Sequence, residues 1–125
     1  MPQPLVLVVD DDPDLAELVQ TVLVLEGYRV VAAGNGQEAI EVVARELPEL
    51  VLLDMRMPVM DGWGFAKAAR PRWPAMKICV MTAAVDARAW AQEVQANAYL
   101  DKPFELNELI AVVERLCPIE RIPAA

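Results

Sequence analysis

The chain is predicted to fold as a three-layer α/β sandwich, with helices wound over both faces of a five-stranded parallel sheet. Three observations carry that expectation. Short runs that are apolar throughout, such as Leu5–Val9 and Leu50–Leu53, have the pattern of strands buried on both faces. Between them lie segments whose apolar residues recur at helical spacing. The two kinds of segment alternate along the whole chain, as a series of βαβ units requires.

Taken in order, the first strand, β1, is read at Leu5–Val9 and stops at Asp10-Asp11-Asp12-Pro13. Asp12 caps the next helix and Pro13 takes its first position; Leu15, Leu18, Val19, Val22 and Leu25 carry this helix, α1, as far as Gly27. A β-branched run, Tyr28–Ala32, forms β2. After a turn or cap at Asn35-Gly36, one face of α2 is lined by Ala39, Ile40, Val43, Ala44 and Leu47, and Pro48 stops it. Leu50–Leu53 is β3, ending at Asp54 and followed by the long loop Met55-Arg56-Met57-Pro58-Val59-Met60-Asp61-Gly62. A third helix, α3, spans Gly62 to Arg70, before Pro71 and Pro74. Lys77–Met81 is β4 and ends at Thr82; Asp86 caps α4, which covers Ala87 to Gln95. Ala98–Leu100 is a short β5, followed at once by Asp101-Lys102-Pro103. Leu106, Leu109, Ile110, Val113 and Leu116 mark α5, which ends before Pro118. Residues 1–118 are expected to form one domain, and 119–125 a tail or the start of a linker.

Composition narrows the functional classes. At 125 residues there is room for one core. No run approaches the ~18 apolar residues of a membrane span, and Met1-Pro2-Gln3-Pro4 lacks the basic start of an export signal, so a cytoplasmic protein with no membrane contact is expected. Eleven Lys and Arg against nineteen Asp and Glu leave a net charge of −8, which argues against direct nucleic-acid binding. Cys79 and Cys117 have neither the number nor the spacing of a disulfide frame or zinc site and read as small buried side chains. The chain has no histidine. Any phosphohistidine chemistry must therefore draw its histidine from a partner.

For five strands the common doubly wound solution is the flavodoxin-like order 2-1-3-4-5, whose crevice lies between β1 and β3 at the carboxyl ends of the strands. Asp10 and Asp11 follow β1, Asp54 follows β3, Thr82 follows β4 and Lys102 follows β5, so all five converge on that edge. Gathered carboxylates repel one another unless a cation relieves them, and oxygen ligands favour a hard ion. Mg²⁺ fits this donor set best, since it takes one or two carboxylates and keeps several waters. The backbone carbonyl of Arg56 could supply another ligand. A metal, the Lys102 ammonium and the Thr82 hydroxyl around one carboxylate would stabilise the oxygens of a transferring phosphoryl group.

Four stretches, Val8-Val9-Asp10-Asp11-Asp12-Pro13, Leu52 to Gly62, Met81-Thr82-Ala83 and Tyr99-Leu100-Asp101-Lys102-Pro103-Phe104, resemble in order and spacing the bacterial response-regulator receiver family of two-component systems, chemotaxis-regulator-like in form. The likeness runs along nearly the whole chain. It implies that Asp54 is the phosphoacceptor. Asp11 would hold Mg²⁺ directly and Asp10 through water, beside Asp54 and the Arg56 carbonyl, with Mn²⁺ able to substitute. Thr82 and Lys102 would bind the phosphoryl oxygens, the Lys102–Pro103 bond would be cis, and Tyr99 would act with Thr82 as an aromatic switch. The implied donor is a histidine kinase or histidine phosphotransfer protein. The implied output is a downstream protein target or a homodimer, met through the α4-β5-α5 face, where Trp90 and Tyr99 stand. Such a domain is not a metabolic enzyme; it catalyses only its own phosphorylation and slow dephosphorylation.

Two departures from the family pattern bear on this. Gln95-Ala96-Asn97 replaces a Gly-Ala-Asp-like stretch, which predicts a tighter or shifted turn before β5. Arg56 holds a variable position, where its side chain is expected to lean over the phosphoryl group. Two rivals fare worse. An aspartate-based phosphatase of the haloacid-dehalogenase type needs an acid-base Asp where Arg56 stands, and a cap domain for which there is no room. A degenerate receiver, acting only as a binding module, would not need every phosphorylation residue to be present.

Overall fold

Apolar, β-branched runs assemble into one parallel sheet in the computed structural model, which describes residues 3–83 and 86–119. The strands are β1 (Leu5–Val9), β2 (Arg29–Ala33), β3 (Leu50–Asp54), β4 (Lys77–Thr82) and β5 (Ala98–Asp101), and the helices α1 (Pro13–Leu25), α2 (Gly36–Arg45), α3 (Gly62–Ala69), α4 (Ala87–Glu93) and α5 (Leu106–Leu116). The strand order is β2-β1-β3-β4-β5, with every neighbouring pair parallel. Of the tail expected at 119–125, residues 120–125 lie outside the described residues.

Alternation along each strand splits the core into two layers. Leu7, Val9, Val51, Leu53, Ile78 and Val80 face the side of Ala39, Val43, Phe65 and Ala91, on α2, α3 and α4. Val6, Val8, Leu50, Leu52, Cys79 and Met81 face Val19, Leu23, Leu109 and Val113, on α1 and α5. β1 and β3 are buried from end to end, which is why they read as unbroken apolar runs. Cys79 and Cys117 are free and buried, and burial pushes both thiols up to about 12. No described helix is long and apolar enough to cross a membrane.

Element ends differ from expectation by one or two residues, for identifiable reasons. Tyr28 lies outside β2: its buried ring turns into the core and its hydroxyl donates to the Cys117 carbonyl at 2.8 Å. β3, β4 and β5 each run one residue further, through Asp54, Thr82 and Asp101, because the ladder continues in the pairs Asp54↔Met81 and Thr82↔Asp101. α2 stops at Arg45, since Glu46 is extended (φ −148°, ψ 116°) and held by Arg29 across a 2.7 Å ion pair. α3 ends at Ala69, with Arg70 as its C-cap. α4 ends at Glu93, ahead of a left-handed Gln95 at φ 55°.

The loop after β3 is pinned at three points. Val59 has φ 69°, and the Met60 N–H donates to the Pro58 carbonyl at 2.8 Å, forming a γ-turn at an exposed β-branched residue. The Met60 carbonyl accepts from Gly36 N–H at 2.8 Å, tying the loop to the start of α2. Gly62 N–H donates back to the Met55 carbonyl at 3.1 Å, and a Cβ at Gly62 would stand 2.5 Å from Met55 Sδ and 2.8 Å from the Asp54 carbonyl. Only glycine lets α3 start this close beneath Asp54.

Candidate functional site

The register lays the carboxyl ends of β1, β3, β4 and β5 side by side, and each delivers a polar residue there. Asp10 follows β1 and is almost fully buried; its Oδ1 accepts from Asp12 N–H at 2.9 Å and its Oδ2 from Lys102 Nζ at 2.7 Å. Asp11 is exposed, and Asp54 is the buried last residue of β3. Carboxylate oxygens of Asp10, Asp11 and Asp54 all lie within 4.8 Å of one another. Thr82, buried at the end of β4, accepts from Lys102 N–H through its carbonyl at 2.8 Å, which fixes the root of the lysine. Lys102 Nζ is 3.7 Å from Asp54 Oδ1, and the Lys102–Pro103 peptide is cis. Asp12, read as a cap, accepts from Asp14 and Leu15 N–H.

Electrostatics at this edge are unbalanced. Burial pushes the Asp54 carboxyl up to about 6; Lys102 opposes the shift, Asp10 adds to it, a backbone hydrogen bond from Arg56 opposes it, and Asp11 adds to it. One ammonium faces three carboxylates, and it sits closer to Asp10 than to Asp54. A clustered set of hard oxygen donors with an uncompensated negative charge fits a divalent cation of the Mg²⁺ kind. Arg56, whose carbonyl is the remaining candidate ligand, begins the loop two residues beyond Asp54.

Asp54, Arg56, Thr82, Asp86, Trp90 and Lys102 line one cleft of about 620 Å³. Within it the Arg56 guanidinium lies over the Trp90 ring, 5.1 Å from its centroid. Trp63 meets Trp90 edge-on at 4.6 Å. Sequence reasoning marked Trp90 only as a residue of the partner face and missed this cluster, because its members share no helical or strand periodicity. Tyr99 is 42% exposed and lines a separate cleft with Arg88, Glu108 and Arg115, between α4 and α5.

Sheet order and acidic crevice together define a small flavodoxin-fold module. The chain belongs to the response regulator receiver domain family, whose model matches residues 6–114. It is 40% identical over 115 residues to the transcriptional regulatory protein PrrA of Mycobacterium tuberculosis, covering 90% of this chain and 49% of that protein. It is 37% identical over 117 residues to the DNA-binding transcriptional regulator NtrC of Escherichia coli K12, covering 92% of this chain and 25% of NtrC. Among solved structures, the response regulator TrrA of Thermotoga maritima, in complex with Mg²⁺-BeF, superposes with a TM-score of 0.83 at 34% identity, covering 91% of this chain and 99% of TrrA. The chain thus spans about half the length of PrrA and a quarter of NtrC. It is a signal-transduction module of the two-component kind.

Proposed function

We propose that this domain is a cytoplasmic phosphoacceptor: Asp54 takes a phosphoryl group from the phosphohistidine of a histidine kinase or histidine phosphotransfer protein, in a Mg²⁺-dependent reaction. The observation that carries this reading is the meeting of Asp10, Asp11 and Asp54 oxygens within 4.8 Å, with the Lys102 ammonium 3.7 Å from Asp54. Three sequence-distant segments supply these groups.

In the proposed reaction an Asp54 carboxylate oxygen attacks phosphorus, the phosphorus–nitrogen bond of the donor breaks, and the nitrogen keeps the electron pair and takes up a proton. The product on Asp54 is a mixed anhydride, which water later hydrolyses. Asp10, Asp11, Asp54 and the Arg56 carbonyl would hold Mg²⁺, or Mn²⁺ in its place, which supplies positive charge to the phosphoryl oxygens. Lys102 would turn from Asp10 toward the new phosphoryl group, and the Thr82 hydroxyl would donate to another of its oxygens. Because these contacts exist only in the phosphorylated form, they favour a rearranged α4-β5-α5 face, with Tyr99 turning inward behind Thr82. A downstream protein or a second copy would read that face. Residues 1–118 would act as the receiver and 119–125 as its connection onward.

Intact-mass measurement after acetyl phosphate and Mg²⁺ tests the chemistry. Wild type should gain one phosphoryl group, and neither Asp54→Asn nor chelator-treated wild type should do so. Equal uptake by Asp54→Asn would place the acceptor elsewhere.

A further inference from the structure

The cleft beside Asp54 holds a second cation that the acidic cluster does not account for. Arg56 is exposed and forms no ion pair among the described residues. Its guanidinium carbon instead stands 5.1 Å from the Trp90 ring centroid, within cation–π range. Trp90 is itself braced. Trp63 of α3 packs against it with 4.6 Å between ring centroids and 64° between planes, and Trp63 Nε1 donates to Glu93 Oε2 at 2.7 Å. Trp90 and Glu93 both belong to α4, so the brace leaves that helix and returns to it.

We infer that Trp90 is a positioning residue for Arg56: it seats the guanidinium over its ring while Asp54 is bare, yields it to a phosphoryl group on Asp54, and thereby links α4 directly to the charge at the acceptor. This rests on the phosphoacceptor reading above. The exchange follows from relative strengths. A cation–π contact at an exposed site is weak, whereas a guanidinium donating to phosphoryl oxygens forms charge-assisted, often paired, hydrogen bonds. The seat therefore holds Arg56 until the phosphoryl charge arrives. Once over the phosphoryl oxygens, the guanidinium obstructs the water that must attack phosphorus, so hydrolysis slows. The indole competes for the same cation, and its strength sets how long the mixed anhydride survives. Thr82 and Tyr99 would report phosphorylation through β4 and β5; Arg56 and Trp90 would report it through α4 without them.

The test follows decay of the acetyl phosphate-labelled protein by intact mass, in the presence of Mg²⁺. Arg56→Ala should lose the group faster than wild type, and Trp90→Leu should lose it more slowly by about two- to five-fold, the range a cation–π contact at an exposed site allows. Trp90→Phe keeps a weaker ring face and should slow decay by a smaller factor; it also carries the test should the leucine variant not fold. In the Arg56→Ala background both Trp90 substitutions should leave the rate unchanged. A Trp90 effect of equal size with and without Arg56 would mean that the ring acts through packing alone and would overturn the inference. No effect in either background overturns it too. If wild type takes up no phosphoryl group, the phosphoacceptor reading itself falls, whereas labelled protein with additive rates removes only the seat.

Discussion

Asp54 shows how a single residue can carry two opposed demands. Ending β3 places its carboxylate where the core stops, and burial there pushes its pKa up to about 6. Without a cation, the native state therefore holds this proton more tightly than the unfolded chain does, for which the reference value is 3.8. The native state binds the extra proton between the two values, so Asp54's contribution to stability is present below about pH 4 and is lost as pH rises through about 6. Asp54→Asn removes that loss. Metal-free Asp54→Asn should be more stable than wild type near neutral pH by on the order of 2 kcal/mol, a rise of several degrees in melting temperature, with the gap closing in acid. Thermal unfolding of both proteins without metal, from about pH 4 to about pH 8, checks this; a gap that does not vary with pH would show that the carboxyl is not shifted. The same proton competes with a cation at Asp54, so Mg²⁺ affinity should weaken as the medium falls below about pH 6. The position of Asp54 was legible, since the apolar run of β3 stops at a single carboxylate. The seat of Arg56 on Trp90 was not, because nothing in the sequence links two residues on different elements whose contact depends on how α4 packs.

At the scale of elements, the sequence revealed every strand and helix in order, and what it misplaced was their ends. Apolar periodicity reports which face is buried, but an end is decided by hydrogen bonds to other elements. β4 and β5 continue because the ladder does, and α2 stops early because Arg29 holds Glu46 in an extended conformation. The end of α4 is the instructive case. A tighter or shifted turn was expected at Gln95-Ala96-Asn97, and the helix closes there two residues early, in a Schellman arrangement. Ala96 N–H donates to the Ala91 carbonyl at 2.8 Å and Gln95 N–H to the Gln92 carbonyl at 3.1 Å. Gln95 takes the left-handed position that glycine fills without cost, and Asn97 then locks onto β4, giving its N–H to the Ile78 carbonyl and accepting from Ile78 N–H. Gln95→Gly should therefore stabilise the protein by about 0.5–1 kcal/mol, the relief of the left-handed side chain less the added freedom of the unfolded chain. Denaturant unfolding should show a higher midpoint with an unchanged slope. A lower midpoint would mean that the glutamine side chain contributes something its backbone conformation does not reveal.

For the molecule as a whole, the acidic crevice is also a fastening. Lys102 reaches from the segment after β5 to Asp10 after β1, so the 2.7 Å ion pair closes the sheet's carboxyl edge across β3 and β4. The Asp10 side chain is 1% exposed and that of Lys102 is 19% exposed. Removing the lysine alone strands a buried carboxylate beside two others, a loss of about 3–5 kcal/mol by the measure of buried pairs broken on one side. Lys102→Met, which keeps the length of the stem, should accordingly unfold at a markedly lower temperature than wild type when no metal is present. Adding Mg²⁺ should then recover more stability in the variant than in wild type. In wild type the ion must share Asp10 with an ammonium already bound to it, whereas in the variant the carboxylates have no other cation to satisfy them, and tighter binding to the native state adds stability in proportion to the logarithm of the affinity. Melting curves of both proteins across a Mg²⁺ titration measure the difference. Equal Mg²⁺ shifts would show that Lys102 and the ion do not meet at the same carboxylates, and would separate the fastening of the sheet from the site at its carboxyl edge.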